Sequence, residues 1–284
     1  MNRSVISELW QKVFRSGNPI NLIIAINVFI FLLINLSDLF VKLFSLQFPL
    51  GDFFYYNLAI PANPGILLYK PWTIITYMFS QRDLFHGLFN MLWLFWMGQI
   101  FLNFLNKRQF VFVYLAGGLA GAVLFLLFYN FIPAFKNDGS SWLIGASASV
   151  NAVVFAAATL VPNYTLRLMF FGDVRLKYMA IALVFLDILL MSGMNAGGSI
   201  SHLGGALLGF VYIKMLQSGN DMSKLFSKRK PKLKVLRNEE VFYGRIPNQE
   251  YIDSLLDKIS QSGYHSLSKA EKEALSKASK QDQD

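Results

Sequence analysis

Six stretches of this chain are apolar over roughly the 17–25 residues that a bilayer core demands, and nothing else in the sequence restricts its folding so strongly. They run from about Leu22 to Phe40, then over Leu84–Leu105, Val111–Ile132, Trp142–Val161 and Tyr178–Met194, with a shorter, glycine-rich run at Ser199–Leu216. In lipid every backbone polar group must be satisfied inside the structure, so runs of this length resolve as helices. The expected fold is therefore all-α, a polytopic membrane protein built on a bundle of six transmembrane helices with a short helical tail. Composition agrees: 54% of the 284 residues are hydrophobic and 27 are Phe, more than a soluble core of this length uses. The first run has no small-residue cleavage site and is too long for a signal-peptide core, so it is expected to be retained.

The flanking segments divide the chain. Residues 1–19 place Ile6, Leu9, Trp10, Val13 and Phe14 at helical spacing among Arg3, Glu8, Lys12 and Arg15, the pattern of an amphipathic helix lying on a membrane surface. Residues 20–217 hold the six-helix domain. Inside it, residues 41–83 form a long connector that is rich in aromatics and broken by Pro49, Pro61 and Pro64, a composition suited to the headgroup interface. Residues 218–247 read as a basic juxtamembrane linker, with seven basic and no acidic residues between 224 and 237. Residues 248–284 read as a helical hairpin: Ile252, Leu255, Leu256 and Ile259 share a face closed by Gly263, and Ser268 with Glu271 makes a capping box. This hairpin is too small to bury a core of its own, and is expected to pack on the membrane domain or on a second copy.

Charge sets the expected orientation. The formal net charge is +9, and in so apolar a chain basic residues mark membrane faces rather than nucleic-acid contacts. Arg3, Lys12, Arg15, Lys107, Arg108, Arg167, Arg175, Lys177 and the tail fall on one side; Lys42, Lys70, Arg82 and Lys136 fall on the other. The positive-inside rule then puts both termini in the cytoplasm, and with no transit peptide apparent the expected location is a bacterial cytoplasmic membrane. The absence of cysteine excludes disulfides, thiolate zinc sites and a cysteine nucleophile.

The fourth run carries the chemistry. Between Trp142 and Phe155 it gathers small residues and hydroxyls, and Ser147 among them is a candidate nucleophile that needs a base. Of three histidines, His265 lies in the charged tail, which leaves His86 and His202. The second, fourth and sixth runs point the same way, so His86, Ser147 and His202, all near the starts of their runs, share one depth. Gly205 and Gly209 make a small-residue face on the sixth run, and Gly145 and Ser149 make another on the fourth; two such faces let helices approach closely. This favours His202 as the base. His86 and Asn90 are four residues apart on one helical face, a donor pair for an oxyanion. Asp187 in the fifth run must be paired at that depth, and a structural bond is expected for it. The chemistry calls for no metal and no cofactor.

His86-Gly-Leu-Phe-Asn90, Gly145-Ala-Ser-Ala148 and Ser201-His-Leu-Gly-Gly-Ala206, in this order on alternate runs, resemble the rhomboid intramembrane serine proteases over about residues 20–216. The resemblance implies a Ser147–His202 dyad with no third carboxylate. It also implies an oxyanion hole from the Ser147 backbone with His86 and Asn90, and cleavage of single-span, membrane-anchored substrates near the outer face. Their preferred spans would unwind readily and carry a small residue just before the cut. The chain departs from the family pattern where Trp72 is followed by Thr73, at Gln81 in place of a histidine, and at Leu102 in place of a glutamate; these positions bear on loop and helix packing. The competing reading is a non-catalytic member of the same fold that binds client helices without cutting them. A transporter is a weaker rival, because it needs polar residues along a whole pathway. Nothing in the sequence sets the oligomeric state.

Overall fold

The computed structural model describes residues 5–135, 141–168, 172–191, 193, 195–226 and 249–281. Twelve α-helices lie among the described residues: α1 (Val5–Trp10), α2 (Pro19–Leu43), α3 (Leu50–Leu58), α4 (Pro64–Tyr69), α5 (Thr73–Thr76), α6 (Leu84–Phe104), α7 (Lys107–Phe131), α8 (Ser147–Leu160), α9 (Leu176–Leu190), α10 (Ala196–Gln217), α11 (Gln249–Ser262) and α12 (Lys269–Gln281). The chain divides into two units, residues 1–227 and 228–284.

Four helices of the first unit, α2, α6, α7 and α10, are long and apolar enough to cross a membrane; α8 is apolar but has 14 residues, and α9 has 15. Three of these long helices begin at a side-chain cap. Asn18 accepts the Ile20 N–H ahead of α2, Asp83 accepts the His86 N–H ahead of α6, and Asn106 forms a full capping box with Gln109 at α7. Apolar length alone puts these boundaries a few residues off; the first run, for instance, extends to Pro19–Leu43.

The connector between α2 and α6 contains three short helices rather than only irregular backbone. Asn63 caps α4 with Pro64 in its first turn, Trp72 Nε1 donates to the Asn57 carbonyl at 2.8 Å, and Thr76 Oγ1 donates to the Leu58 carbonyl at 2.9 Å. The all-α expectation needs amending, because two small antiparallel sheets are present. Strands β1 (Ile60–Pro61) and β2 (Trp142–Leu143) pair Ile60 with Leu143 and Pro61 with Trp142, while β3 (Thr165–Leu168) and β4 (Gly172–Arg175) form a hairpin between α8 and α9. The first pairing corrects the fourth expected span: Trp142 and Leu143 are extended, and the helix starts only at Ser147.

Helix α8 is the packed centre of this unit. Nine of its 14 residues are buried, and α10, α7 and α6 surround it. Most of the buried positions are Ala, so the backbones of its neighbours come close; a methyl on Gly205 would collide with the Ala148 carbonyl, and one on Gly209 with that of Ala152. Without a hydrophobic drive between helices in lipid, such close packing is what holds a bundle together. At the rim, α2 buries only Ile20, Ile23, Asn27 and Ile34 along its 25 residues.

At the N-terminus, α1 runs into a π-helical stretch, Gln11–Arg15. In the second unit, Gly263 takes φ 76° after α11, and Ser268 and Glu271 exchange hydrogen bonds at the start of α12. The basic linker expected over 218–247 lies mostly outside the described residues, which resume at Gln249.

Candidate active site

Helix starts and first turns deliver the reactive side chains. Asp83 Oδ1 accepts the His86 backbone N–H at 2.7 Å, which sets His86 in the first turn of α6. Asn90 is one turn further on and buried. Ser147 is the first residue of α8, and Ala146 ahead of it offers no capping side chain. The first amide N–H groups of that helix therefore have no helical acceptor. His202 is the seventh residue of α10.

Gly145 gathers two of these groups together with Gln81. Its φ of 141° suits a residue without a side chain, and its N–H is fixed to the Tyr77 carbonyl at 3.1 Å. A methyl here would stand 3.5 Å from Ser147 Oγ, 3.6 Å from His86 Nε2 and 4.0 Å from Gln81 Oε1. Gly145 is thus a bare patch of loop ringed by polar groups, which corrects its expected part in helix packing. The face that meets Gly205 and Gly209 is Ala148 and Ala152, while Ser149 lies against Gly118 of α7. The β1–β2 pairing holds Trp142 and Leu143 extended, and Gly145 lies ahead of the first residue of α8.

The Gly205–Ala148 contact brings the turn carrying His202 alongside the start of α8. His202 Nδ1 lies 2.7 Å from Asp187 Oδ1 on α9, and its imidazole is within electrostatic range of His86. Its Nε2 is buried and has no hydrogen-bond partner, so no bond joins it to Ser147 in this state. Catalytic hydrogen bonds are commonly loose before substrate arrives.

A chain of amides backs the site. Asn90 Nδ2 donates to Gln81 Oε1 at 3.4 Å, Gln81 Nε2 donates to Asn27 Oδ1 at 3.4 Å, and Asn27 Nδ2 donates to the Ile23 carbonyl at 2.9 Å. Tyr114 closes the chain, with its hydroxyl near Asn27 Nδ2 and donating to the Met78 carbonyl at 2.8 Å. Gln81 reads in the sequence as a departure bearing on packing; here it links Asn90 to α2. Asp187 was expected to make a structural bond, and its partner turns out to be the candidate base. The sequence signal for Asp187 is its isolation as an acid within an apolar helix.

A model of the rhomboid domain matches residues 69–218, more than half of the chain, and includes Gln81, His86, Asn90, Gly145, Ser147, Asp187 and His202. The chain belongs to the rhomboid family. Its members are generally intramembrane serine proteases. A second model, for a family of unknown function (DUF6576), matches residues 240–281. Among individual relatives, the RHOMBOID-like protein 12, mitochondrial, of Arabidopsis thaliana is 31% identical over 157 residues, 52% of this chain and 47% of that protein. The presenilin-associated rhomboid-like protein, mitochondrial, of Bos taurus is 28% identical over 243 residues, 82% of this chain and 56% of that protein. Its Homo sapiens counterpart is 27% identical over the same shares. This rhomboid chain thus spans about half the length of the curated relatives it matches.

These relatives correct one expectation. Each is named as mitochondrial, so the bacterial cytoplasmic membrane, with cytoplasmic termini, does not stand. The lysine and arginine asymmetry that led to it reports which faces share a side and carries no information on which membrane is crossed.

Proposed function

We propose that this chain is an intramembrane serine endopeptidase that cuts the spans of single-span membrane proteins, with six helices forming its membrane domain. The observation that carries the reading is the convergence of Ser147 Oγ and His86 Nε2 on the bare face of Gly145, with Gly205 drawing the His202 segment against α8. Ser147 attacks the substrate carbonyl while His202 Nε2 accepts its proton, then returns it to the leaving amine; water later hydrolyses the acyl-enzyme. The oxyanion is met by the amide N–H at the start of α8, by His86 and by Asn90, the kind of donor set that stabilises charge as it develops. Helical substrates hide their peptide bonds, so spans that unwind readily are the preferred ones. Lipid is the surrounding partner, and nucleic acid has no part in this chemistry. The relatives' names favour a mitochondrial membrane as the setting.

The test is cleavage of a model single-span substrate by purified protein in liposomes. Ser147→Ala and His202→Ala each abolish the product, and a fluorophosphonate labels the unmodified protein at Ser147. Cleavage that survives in either variant overturns the reading; a substrate bound but never cut supports a client-binding role instead.

A further inference from the structure

We infer that Asp187 is a positioning residue for His202, so that the site works as Ser147–His202–Asp187 rather than as the two-residue dyad implied by the family resemblance; the inference rests on the protease reading above. Asp187 is the one buried position in the last two turns of α9, 8% exposed, while Phe185, Leu186, Ile188, Leu189 and Leu190 beside it are turned outward. A carboxylate among such neighbours is costly unless it is paired. Its Oδ1 lies 2.7 Å from His202 Nδ1.

That contact decides where the imidazole proton sits. An ionised carboxylate can only accept, so Nδ1 must carry the hydrogen, and neutral His202 then presents a bare lone pair at Nε2. This is the tautomer a general base requires. Nε2 is moreover one of only two buried side-chain nitrogen or oxygen atoms without a hydrogen-bond partner among the described residues, the other being Ser149 Oγ. The ring is held at one nitrogen and vacant at the other. When the Ser147 proton moves to Nε2, the imidazolium that forms is positive beside the negative Asp187 carboxylate, and the carboxylate keeps its own charge throughout. His86 lies within electrostatic range of the ring and, if charged, would oppose the imidazolium, whereas Asp187 favours it.

A bond that served only to tie α9 to α10 would tolerate Asp187→Asn, which keeps the size and one acceptor oxygen. The inference predicts instead that Asp187→Asn lowers kcat about 100-fold or more, as expected when a base is left free to take the wrong tautomer. KM should stay within about twofold, since the interaction acts on the chemical step. Fluorophosphonate labelling of Ser147 slows in parallel, and Asp187→Glu restores part of both rates. Independently, nitrogen NMR of 15N-histidine-labelled full-length protein in micelles reads the tautomer: His202 should be protonated at Nδ1 in the unmodified chain. Full activity and labelling in Asp187→Asn overturns the inference, as does protonation of His202 at Nε2, a readout that holds even if every variant fails to fold. If the unmodified chain neither cleaves nor labels, the protease reading falls, while the tautomer result still decides whether Asp187 sets the imidazole.

Discussion

A buried acid lies against each end of α10, Asp187 of α9 toward its start and Asp221 just past its end, and the contrast between them separates a structural tie from a proposed working site. Beyond the C-terminal end, Asp221 has a side chain only 7% exposed and accepts five hydrogen bonds. Ser223 gives two, from Oγ at 2.6 Å and from its backbone N–H at 3.0 Å. Tyr212 gives one at 3.2 Å, Arg108 one at 3.0 Å and Gln109 one at 3.3 Å. Every lone pair is used, and the cluster locks the start of α7 to the end of α10. Toward the other end, Asp187 makes a single bond to His202, and the far nitrogen of that ring is left empty. A saturated buried network specifies one geometry, whereas an unsaturated one inside the bundle holds capacity for a ligand or a proton.

Substitutions at each end should fail in different currencies. The largest expected effect is Ser147→Ala, which removes cleavage by about 10⁴-fold or more while the thermal midpoint in detergent stays near that of the unmodified chain. His86→Ala should cost about 100-fold in kcat, the usual loss for one oxyanion donor, again with little change in melting. Asp221→Ala reverses the pattern. It leaves the buried Tyr212 hydroxyl without its acceptor, while the half-exposed Arg108 keeps Ser223 and solvent, and should cost about 2 kcal/mol of stability, read as a lower melting temperature, with the kcat of the folded fraction within about twofold. Gln81→Ala lies between the two, because it frees Asn90 without removing it; a kcat loss of about fivefold, worth roughly 1 kcal/mol, is expected. Equal effects of Asp221→Ala on activity and stability would dissolve the contrast.

Acid should distinguish the two ends as well. Burial pushes the Asp221 carboxyl up, but the Ser223 hydroxyl and backbone N–H, the Tyr212 hydroxyl and the Arg108 charge together hold it below its ordinary value. A carboxyl depressed in the folded state contributes its full stability above the unfolded value, about 3.9, and loses it as pH falls through the lower folded value. Melting temperature should therefore hold steady down to about pH 5 and decline below about pH 4. In Asp221→Asn the decline should be shallower.

Much of this arrangement is legible in the sequence, and what is not has a common cause. The apolar runs locate the helices because hydropathy is a local property, and Gly205 and Gly209 announce a close approach because small residues at that spacing have few other uses. What they approach is another matter. Ahead of α8, which opens at Ser147, Leu143 pairs with Ile60, a partner 83 positions away in the chain, and no window around Trp142 contains that information. Asp187 and His202 meet through the packing of α9 on α10, and Gln81 acquires its importance from Asn27 and Asn90 on two other helices. The missed features are all contacts between elements, set by how helices lean together rather than by what each is made of.

The brevity of α8 has a consequence for the lipid. Fourteen residues rise only about 21 Å, against a hydrocarbon thickness of about 30 Å. A helix this short at the centre of a bundle cannot have both ends at the two surfaces, so Ser147 lies at a depth set jointly by the protein and by the acyl chains around it. Thinning of the bilayer near a short span is one way such a mismatch is met. On the proposed protease reading, the rate of cleavage should then depend on the chain length of the surrounding phospholipids, as a property shared between protein and membrane.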